Sequence, residues 1–355
     1  MIHLRQQRLL TPGPISLLNG VKDAMLFDLG SRTEAFRNVS TDVRDKLLRV
    51  ADAQNTHDVV MLPGSGTTMI EAIFRSFLDV RHEVLVCVNG IYGQRAFEML
   101  HTLGIAAYAV YQTPGEAVCA RAVRDALRAR PTTTHLYFVH AETTFGIRNP
   151  YDELLKISRE YGLISVVDSM SAFGGTPVSG QCDRFDVLIT SSNKCIEGPP
   201  GVAFAFISKK LLAFNDVIPA TCALNLKQQL AVFNATHEWR FTPPTHVIQA
   251  VSAALDHLSR ETVRGRFERY SRIAEALVKR LEPMGCIPLV KTADRFPNCV
   301  CFTAAFIQTK QEFSDFSAQL AERGLYIYAA TEAATGSFRI GCMGAIAPEW
   351  IDDLV

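Results

Sequence analysis

The sequence predicts an α/β protein: a mostly parallel sheet with helices on both faces, followed by a smaller α+β C-terminal domain. Three observations carry this. Between about residues 45 and 210, short apolar strands alternate with amphipathic helices. The alternation stops at Thr242-Pro243-Pro244, where a long helical stretch begins. The 355 residues are enough for a large core and two domains.

In chain order, Val59 to Leu62 reads as a strand, followed by a glycine-rich turn and a helix over Met69 to Leu78. Glu83 to Val88 is a strand, Gly93 to Leu103 a helix, Ala106 to Tyr111 a strand, and Ala120 to Arg130 a helix with an exposed arginine face. Strands follow at Thr134 to Val139, Ile164 to Val167, Val187 to Thr190 and Ala203 to Ile207, with a helix over Asp152 to Tyr161 between the first two. Helices of this length between apolar runs imply parallel neighbours joined by crossovers. Beyond Pro244, a helical stretch over His246 to Gly285 breaks near Glu261 to Val263, and a helix over Gln311 to Glu322 sits among short strands.

Lys and Arg number 36, as do Asp and Glu, so bulk attraction to nucleic acid or an anionic membrane is excluded as the main activity. Apolar residues at 48% and charged residues at 20% give the profile of a globular protein, not a disordered one. No apolar run approaches the roughly 18 residues of a membrane span. The nine cysteines are scattered and contain no Cys-x-x-Cys pair, so neither a disulfide framework nor a structural zinc site is expected. A reducing cytoplasm is the simplest setting. Met1 to Arg8 leads into Thr11-Pro12-Gly13-Pro14 with no apolar core between, so no signal peptide is expected.

Three segments carry chemistry. Gly64-Ser65-Gly66-Thr67-Thr68 lies between a strand and a helix; it suits either a phosphate cradle of helix-start amides and hydroxyls or a tight turn with a Ser/Thr cap. It lacks the third glycine of a dinucleotide fingerprint, which argues against nicotinamide-dependent hydride transfer, and no Gly-Lys-Ser/Thr makes it a Walker loop. Asp168 ends an apolar strand, where open α/β sheets bind ligands, although a helix cap is the alternative. Lys194 follows another apolar strand and precedes the rigid Glu197-Gly198-Pro199-Pro200-Gly201 turn. Lysine is rarely buried, and desolvation lowers its pKa toward Schiff-base chemistry. Together, a phosphate cradle, a strand-end carboxylate and a lysine 26 residues later meet the needs of pyridoxal phosphate: an anchor for its phosphate, an anion for its ring nitrogen and an amine for its aldehyde.

At these residues the sequence resembles the class V, fold-type I aminotransferases that depend on pyridoxal phosphate. Within them it is most similar to the 2-aminoethylphosphonate–pyruvate transaminases. The matching segments are LLTPGP (9–14), VKDAMLFD (21–28), LPGSGTTMIEAI (62–73), VNGIYGQR (88–95), VHAETTFGIRNP (139–150), VVDSMSAFGG (166–175), SSNKCIEGPPGVAF (191–204), WRFTPPTH (239–246) and FRIGCMG (338–344). The resemblance implies a large cofactor-binding domain over residues 16–244 with a mostly parallel seven-stranded sheet. It implies a small α+β domain from residues 1–15 and 245–355, and a homodimer with sites at the interface.

Residue by residue, the resemblance makes Lys194 the Schiff-base lysine and proton carrier, and Asp168 the partner of the pyridinium nitrogen. Ser65, Gly66 and Thr67 hold the phosphate, with Thr242 completing that shell from the partner subunit. Thr143 lies near the ring, and Tyr92 either flanks it or packs in the core. Arg339 grips the substrate anion, where a surface salt bridge is the plain alternative, and Arg32 and Ser16 are carried over as substrate-binding positions. Arg95 is a weaker candidate with a structural alternative, and Cys195 reads as a small core residue. His140 and His246 have no metal-ligand spacing, and no metal is expected.

The implied reaction moves an amino group from 2-aminoethylphosphonate to pyruvate, giving phosphonoacetaldehyde and alanine. An alanine- or serine–glyoxylate transaminase is the alternative enzyme, and a silent scaffold of the same fold the non-enzymatic one. One departure bears on the donor. Ile327-Tyr328-Ala329-Ala330-Thr331-Glu332 stands where phosphonate transaminases often carry a Pro-Gly-Lys turn.

Overall fold

The computed structural model describes residues 7–330, 336–347 and 349–354. Met1 to Gln6 of the N-terminal reading, and Thr331 and Glu332 of the substrate-side departure, lie outside the described residues.

A seven-stranded sheet forms the centre of the large layer. In spatial order its strands are His57–Gly64, Gly201–Ser208, Val187–Ser191, Ile164–Asp168, His135–Val139, Glu83–Val88 and Ala106–Tyr111. All are parallel except Gly201–Ser208, which runs antiparallel to both its neighbours. The central strands are mostly apolar and buried along nearly their whole length because helices cover both faces. Ala106–Tyr111 closes one edge and is only partly covered. The register then places the chemistry. Val139 pairs with Asp168, and Asp168 with Ile189, so the loops carrying Thr143, Met170 and Lys194 all leave the sheet at one edge. Gly64 pairs with Gly201 at that same edge.

Two helices of the large layer, Glu34–Val50 and Leu226–Thr236, were not anticipated from the sequence. Glu34–Val50 is capped by Thr33, whose Oγ1 accepts from the Phe36 amide at 3.3 Å, and it buries Phe36, Val43 and Leu47. The expected break in the long helical stretch falls at Thr262, whose positive φ of 68° separates Thr245–Glu261 from Val263–Leu281. Thr245–Glu261 follows the boundary drawn at Pro244, yet its stripe of Ile248, Val251, Leu255 and Leu258 joins the core of the large layer.

The smaller layer is a four-stranded antiparallel sheet in the order Cys286–Pro288, Cys299–Ala304, Ser337–Gly341, Tyr328–Ala329. Val263–Leu281 packs against it through Tyr270, Ala274, Leu277 and Leu281. The N-terminal segment bridges both layers. Arg8–Leu9 pairs in parallel with Leu325–Tyr326, and Gly341 donates its amide to the Leu10 carbonyl at 3.0 Å. The following Pro12-Gly13 then reaches Lys194. Among the described residues, no helix is long and apolar enough to cross a membrane.

Candidate active site

A cavity of about 420 Å³ opens at the edge of the sheet where these loops emerge. Ser65, Gly66, Thr67, Tyr92, Thr143, Asp168 and Lys194 all line it. Residues spread over 130 positions of sequence are thus gathered by the strand register.

The glycine-rich turn forms the helix cap of one sequence reading and leaves free the helix-start donors that the other, a phosphate cradle, needs. Ser65 caps helix Gly66–Phe77: its Oγ accepts from the Thr68 amide, and Thr68 Oγ1 accepts from the Ser65 amide, both at 3.3 Å. The amides of Gly66 and Thr67 belong to the first helical turn, which has no intrahelical acceptor for them. A positive φ of 136° at Gly64 turns the chain into this helix, a conformation that favours glycine. The result is a ready anion site beside the positive end of a helix dipole.

Asp168 is 3% exposed. Its Oδ2 accepts from the Tyr137 hydroxyl at 3.0 Å and its Oδ1 from the Met170 amide at 3.0 Å. Burial pushes its carboxyl pKa up, against these two hydrogen bonds. No cation pairs with it among the described residues. Tyr137 was missed in the sequence because a tyrosine in an apolar strand reads as core.

Lys194 is half-buried, and burial pushes its amine down to about 8. Its Nζ donates to the Pro12 carbonyl. Gly13, at a φ of 119°, packs against the lysine so closely that a Cβ would stand 2.5 Å from Nζ. The loop carrying the lysine is tied down from below. Glu197 donates its amide to the Lys194 carbonyl at 2.8 Å, and its carboxylate accepts from Tyr270, Arg269 and the Gly344 amide.

A model of the family described as aminotransferase class V matches residues 24–340. The chain belongs to the class V aminotransferases. It is 36% identical over 349 residues to the 2-aminoethylphosphonate–pyruvate transaminase of Cupriavidus taiwanensis, covering 98% of this chain and 92% of that protein. It is 33% identical over 340 residues to the enzyme of that name from Pseudomonas putida KT2440, covering 95% and 92%. Among solved structures, alanine–glyoxylate aminotransferase from Nostoc sp. superposes with a TM-score of 0.92 at 23% identity, covering 100% of this chain and 94% of that one, which is a likeness of fold.

The cofactor of a class V aminotransferase is pyridoxal phosphate, and the residues present fit it. A buried carboxylate with no ion pair, an amine of lowered pKa and a set of helix-start donors converge on one cavity; they complement a cationic ring nitrogen, an aldehyde and a phosphate.

In this aminotransferase Arg95 also lines the cavity, and the remaining predicted positions stand outside it. Arg339 is adjacent, donating to the Ala329 carbonyl at 3.1 Å and the Thr143 carbonyl at 3.3 Å, and it has no salt bridge among the described residues. Thr242 is exposed in the loop before helix Thr245–Glu261. Arg32 is exposed, its carbonyl accepting from Arg37 at 3.0 Å. Ser16 is buried, with its Oγ accepting from the Leu9 amide at 2.9 Å and its carbonyl from the Ala345 amide at 2.8 Å. Cys195 is core, as read: its thiol donates to the Ser171 carbonyl at 3.0 Å, and burial pushes its pKa to about 12. His140 stacks on Tyr151 at 4.2 Å, and burial pushes its pKa down to about 3. No group of residues suited to a metal occurs among the described residues.

Glu142, beside Thr143, went unremarked in the sequence. It is fully buried, and its Oε1 accepts from the Thr144 amide at 3.0 Å and hydroxyl at 2.6 Å. Its Oε2 has no partner, and burial raises its pKa to about 7. An acid three residues past the end of the buried strand His135–Val139 was the available signal.

Proposed function

We propose that this aminotransferase moves the amino group of 2-aminoethylphosphonate to pyruvate, giving phosphonoacetaldehyde and L-alanine. The observation that carries it is the identity of 33–36% to transaminases of that name over 95% or more of the chain.

Each of the chain's own residues has a task in this reading. Lys194 would hold the cofactor by its aldehyde, and its free amine would serve as the base that takes the proton from the donor carbon; its lowered pKa makes the neutral base available near pH 8. Asp168 keeps a fixed negative charge for the ring nitrogen, oriented by Tyr137 and Met170. The bound ring supplies an electron sink for the carbon that loses its proton. The Ser65-Gly66-Thr67 turn would anchor the phosphate, and Thr143 and Tyr92, which line the same cavity, would flank the ring. Arg339 grips the substrate anion, a phosphonate in the donor and a carboxylate in the acceptor, because a guanidinium fork matches both. Arg32 and Ser16 enter this reading through the resemblance alone, since Arg32 is exposed outside the cavity and the Ser16 hydroxyl is taken up by the Leu9 amide.

A homodimer belongs to the same reading, with the partner's Thr242 closing the phosphate shell. Leu26, Phe27 and Phe241 support it. They are exposed beside Thr242 and the start of helix Thr245–Glu261, to whose Gln249 the Phe27 carbonyl is hydrogen-bonded at 2.9 Å.

A screen of amino donors against pyruvate, read through coupled alanine formation, tests the proposal. Turnover with 2-aminoethylphosphonate is expected. Turnover with alanine or serine and glyoxylate, and none with the phosphonate, would replace the donor and match the missing Pro-Gly-Lys turn at Ile327 to Glu332.

A further inference from the structure

The helix Ile91–Thr102 brings one more charge to the cavity. Arg95 lines it, exposed at its mouth, one turn beyond Tyr92. Its Nη1 donates to Thr67 Oγ1 at 3.3 Å, and its guanidinium carbon lies 5.3 Å from the centre of the Tyr92 ring. No carboxylate lies within ion-pair distance of it among the described residues, and the carboxylate that feels its charge is Asp168, in the same cavity. Its neighbours in the large layer are paired directly: Arg44 with Asp58, Arg75 with Glu71, Arg124 with Glu153 and Arg130 with Glu83.

The position of this lone cation is unfavourable as it stands. Thr67 sits in the first turn of helix Gly66–Phe77, where the helix dipole is already positive. A guanidinium beside it adds like-signed potential, a cost that an anion between them reverses. Hydrogen-bond accounting points the same way. Thr67 Oγ1 accepts from Arg95, so its own proton is left to donate, and it finds no acceptor among the described residues. Two helix-start amides, one hydroxyl proton and one guanidinium thus share a corner that supplies donors and no acceptor. The stack on Tyr92 limits where the guanidinium plane can swing.

We propose that Arg95 is the counter-charge of a phosphoryl-type dianion at this corner, namely the phosphate of the cofactor, acting together with Thr67. The inference rests on the pyridoxal phosphate reading of the cavity. The cofactor's phosphate is favoured over the donor's phosphonate because the same Thr67 contributes to both Arg95 and the helix-start amides.

The test compares wild type with R95Q and R95K, using apoprotein titrated spectroscopically with pyridoxal phosphate and, separately, with pyridoxal, which lacks the phosphate. R95Q is expected to weaken pyridoxal phosphate binding on the order of 10- to 100-fold, the size of one charge-assisted hydrogen bond, and to leave pyridoxal binding unchanged. R95K, which keeps the charge and loses the fork, is expected in between. Inorganic phosphate is expected to raise the melting temperature of the wild-type apoprotein more than that of R95Q. Equal losses for both cofactor forms in R95Q, or no loss for either, overturn the proposal. So does a rise in KM for 2-aminoethylphosphonate, but not for alanine, in R95Q with unchanged pyridoxal phosphate affinity, because the dianion would then be the substrate's. If R95Q does not fold, the R95K ratio of the two affinities decides: an unchanged ratio sinks the idea. Failure of the wild type to bind pyridoxal phosphate at all removes the underlying reading, which is a separate result.

Discussion

Two clusters of charged groups lie on either side of the lysine loop, and they are built on opposite plans. Below the loop, Glu197 accepts from Tyr270 at 2.7 Å, Arg269 at 2.9 Å and the Gly344 amide at 2.7 Å. Arg266, fully buried, pairs with Glu261 at 2.8 Å and donates to the Cys195 and Ile196 carbonyls at 2.7 and 3.2 Å. Charges and hydrogen bonds there are matched, as a buried ion network requires. Above the loop, Asp168 has only two uncharged donors, Lys194 donates to one carbonyl, Arg95 to one hydroxyl, and Glu142 leaves an oxygen unpartnered. The closed cluster fixes where the lysine loop sits. The open one keeps unspent charge and hydrogen-bonding capacity, which a ligand can complete.

Removing the open cluster's central groups has the largest expected effect on rate and little on folding. K194A is expected to lower alanine formation by at least roughly 10⁴-fold, to abolish borohydride fixation of the cofactor, and to leave the melting temperature of the apoprotein close to wild type. D168A is expected to cut turnover more than cofactor binding, because its charge serves the electron sink and the phosphate cradle is separate. A K194A protein with more than a few per cent of wild-type turnover would show that the amine is not central.

The closed cluster should respond the other way. E197A removes one acceptor and strands the Tyr270 hydroxyl and the Gly344 amide in the interior, while Arg269 keeps its pairing with Glu261. Breaking a buried pair from one side costs about 3–5 kcal/mol, to be read as a lowered urea midpoint. R266M, which removes a buried cation but fills its volume, should cost less than E197A. If E197A instead unfolds like wild type and loses only turnover, Glu197 belongs to the open cluster and the division fails.

The two plans also explain what could be read from sequence. Strands Glu83–Val88 and Ala106–Tyr111 have their predicted bounds because apolar runs end at polar or glycine-containing turns. Helix Glu34–Val50 was missed because its buried positions are sparse among charges and its partner surface is distant in sequence. Asp168 and Lys194 stood out as charges at the ends of apolar strands. Tyr137 did not, since its bond to Asp168 depends on strand register. Contacts such as Pro12 to Lys194, 182 residues apart, and Arg95 to Thr67, 28 apart, arise only from tertiary packing. The site's charged centre was thus legible, and the neutral groups that orient it were not.

A milder probe of the open cluster is pH. In the apoprotein, burial holds the Lys194 amine near 8, while in the unfolded chain it titrates at the ordinary lysine value of 10.5. Only the neutral amine attacks an aldehyde. The capture rate of pyridoxal phosphate is therefore expected to climb about tenfold per pH unit below 8 and to level off above it. An unshifted lysine would keep climbing to 10.5. The stability consequence has the same sign: between 8 and 10.5 the unfolded chain binds the proton that the folded one has lost, so this group's contribution to stability rises with pH across that window. A rate still rising beyond pH 9.5 would mean that the amine is solvated.

The smallest effect expected belongs to Cys195, which is next to Lys194 in sequence but faces the closed cluster. Its thiol is fully buried, donates to the Ser171 carbonyl at 3.0 Å and lies 3.5 Å from Met343 Sδ. Burial pushes its pKa to about 12, so its thiolate is scarce at neutral pH. Iodoacetamide at pH 7.5 should therefore label the exposed Cys119, Cys182 and Cys222 while leaving Cys195 unmodified and turnover unchanged. Mass spectrometry of the labelled peptides gives the answer. Rapid alkylation of Cys195 in the folded protein would mean that its thiol opens to the cavity, placing the boundary between the two clusters on the wrong side of position 195.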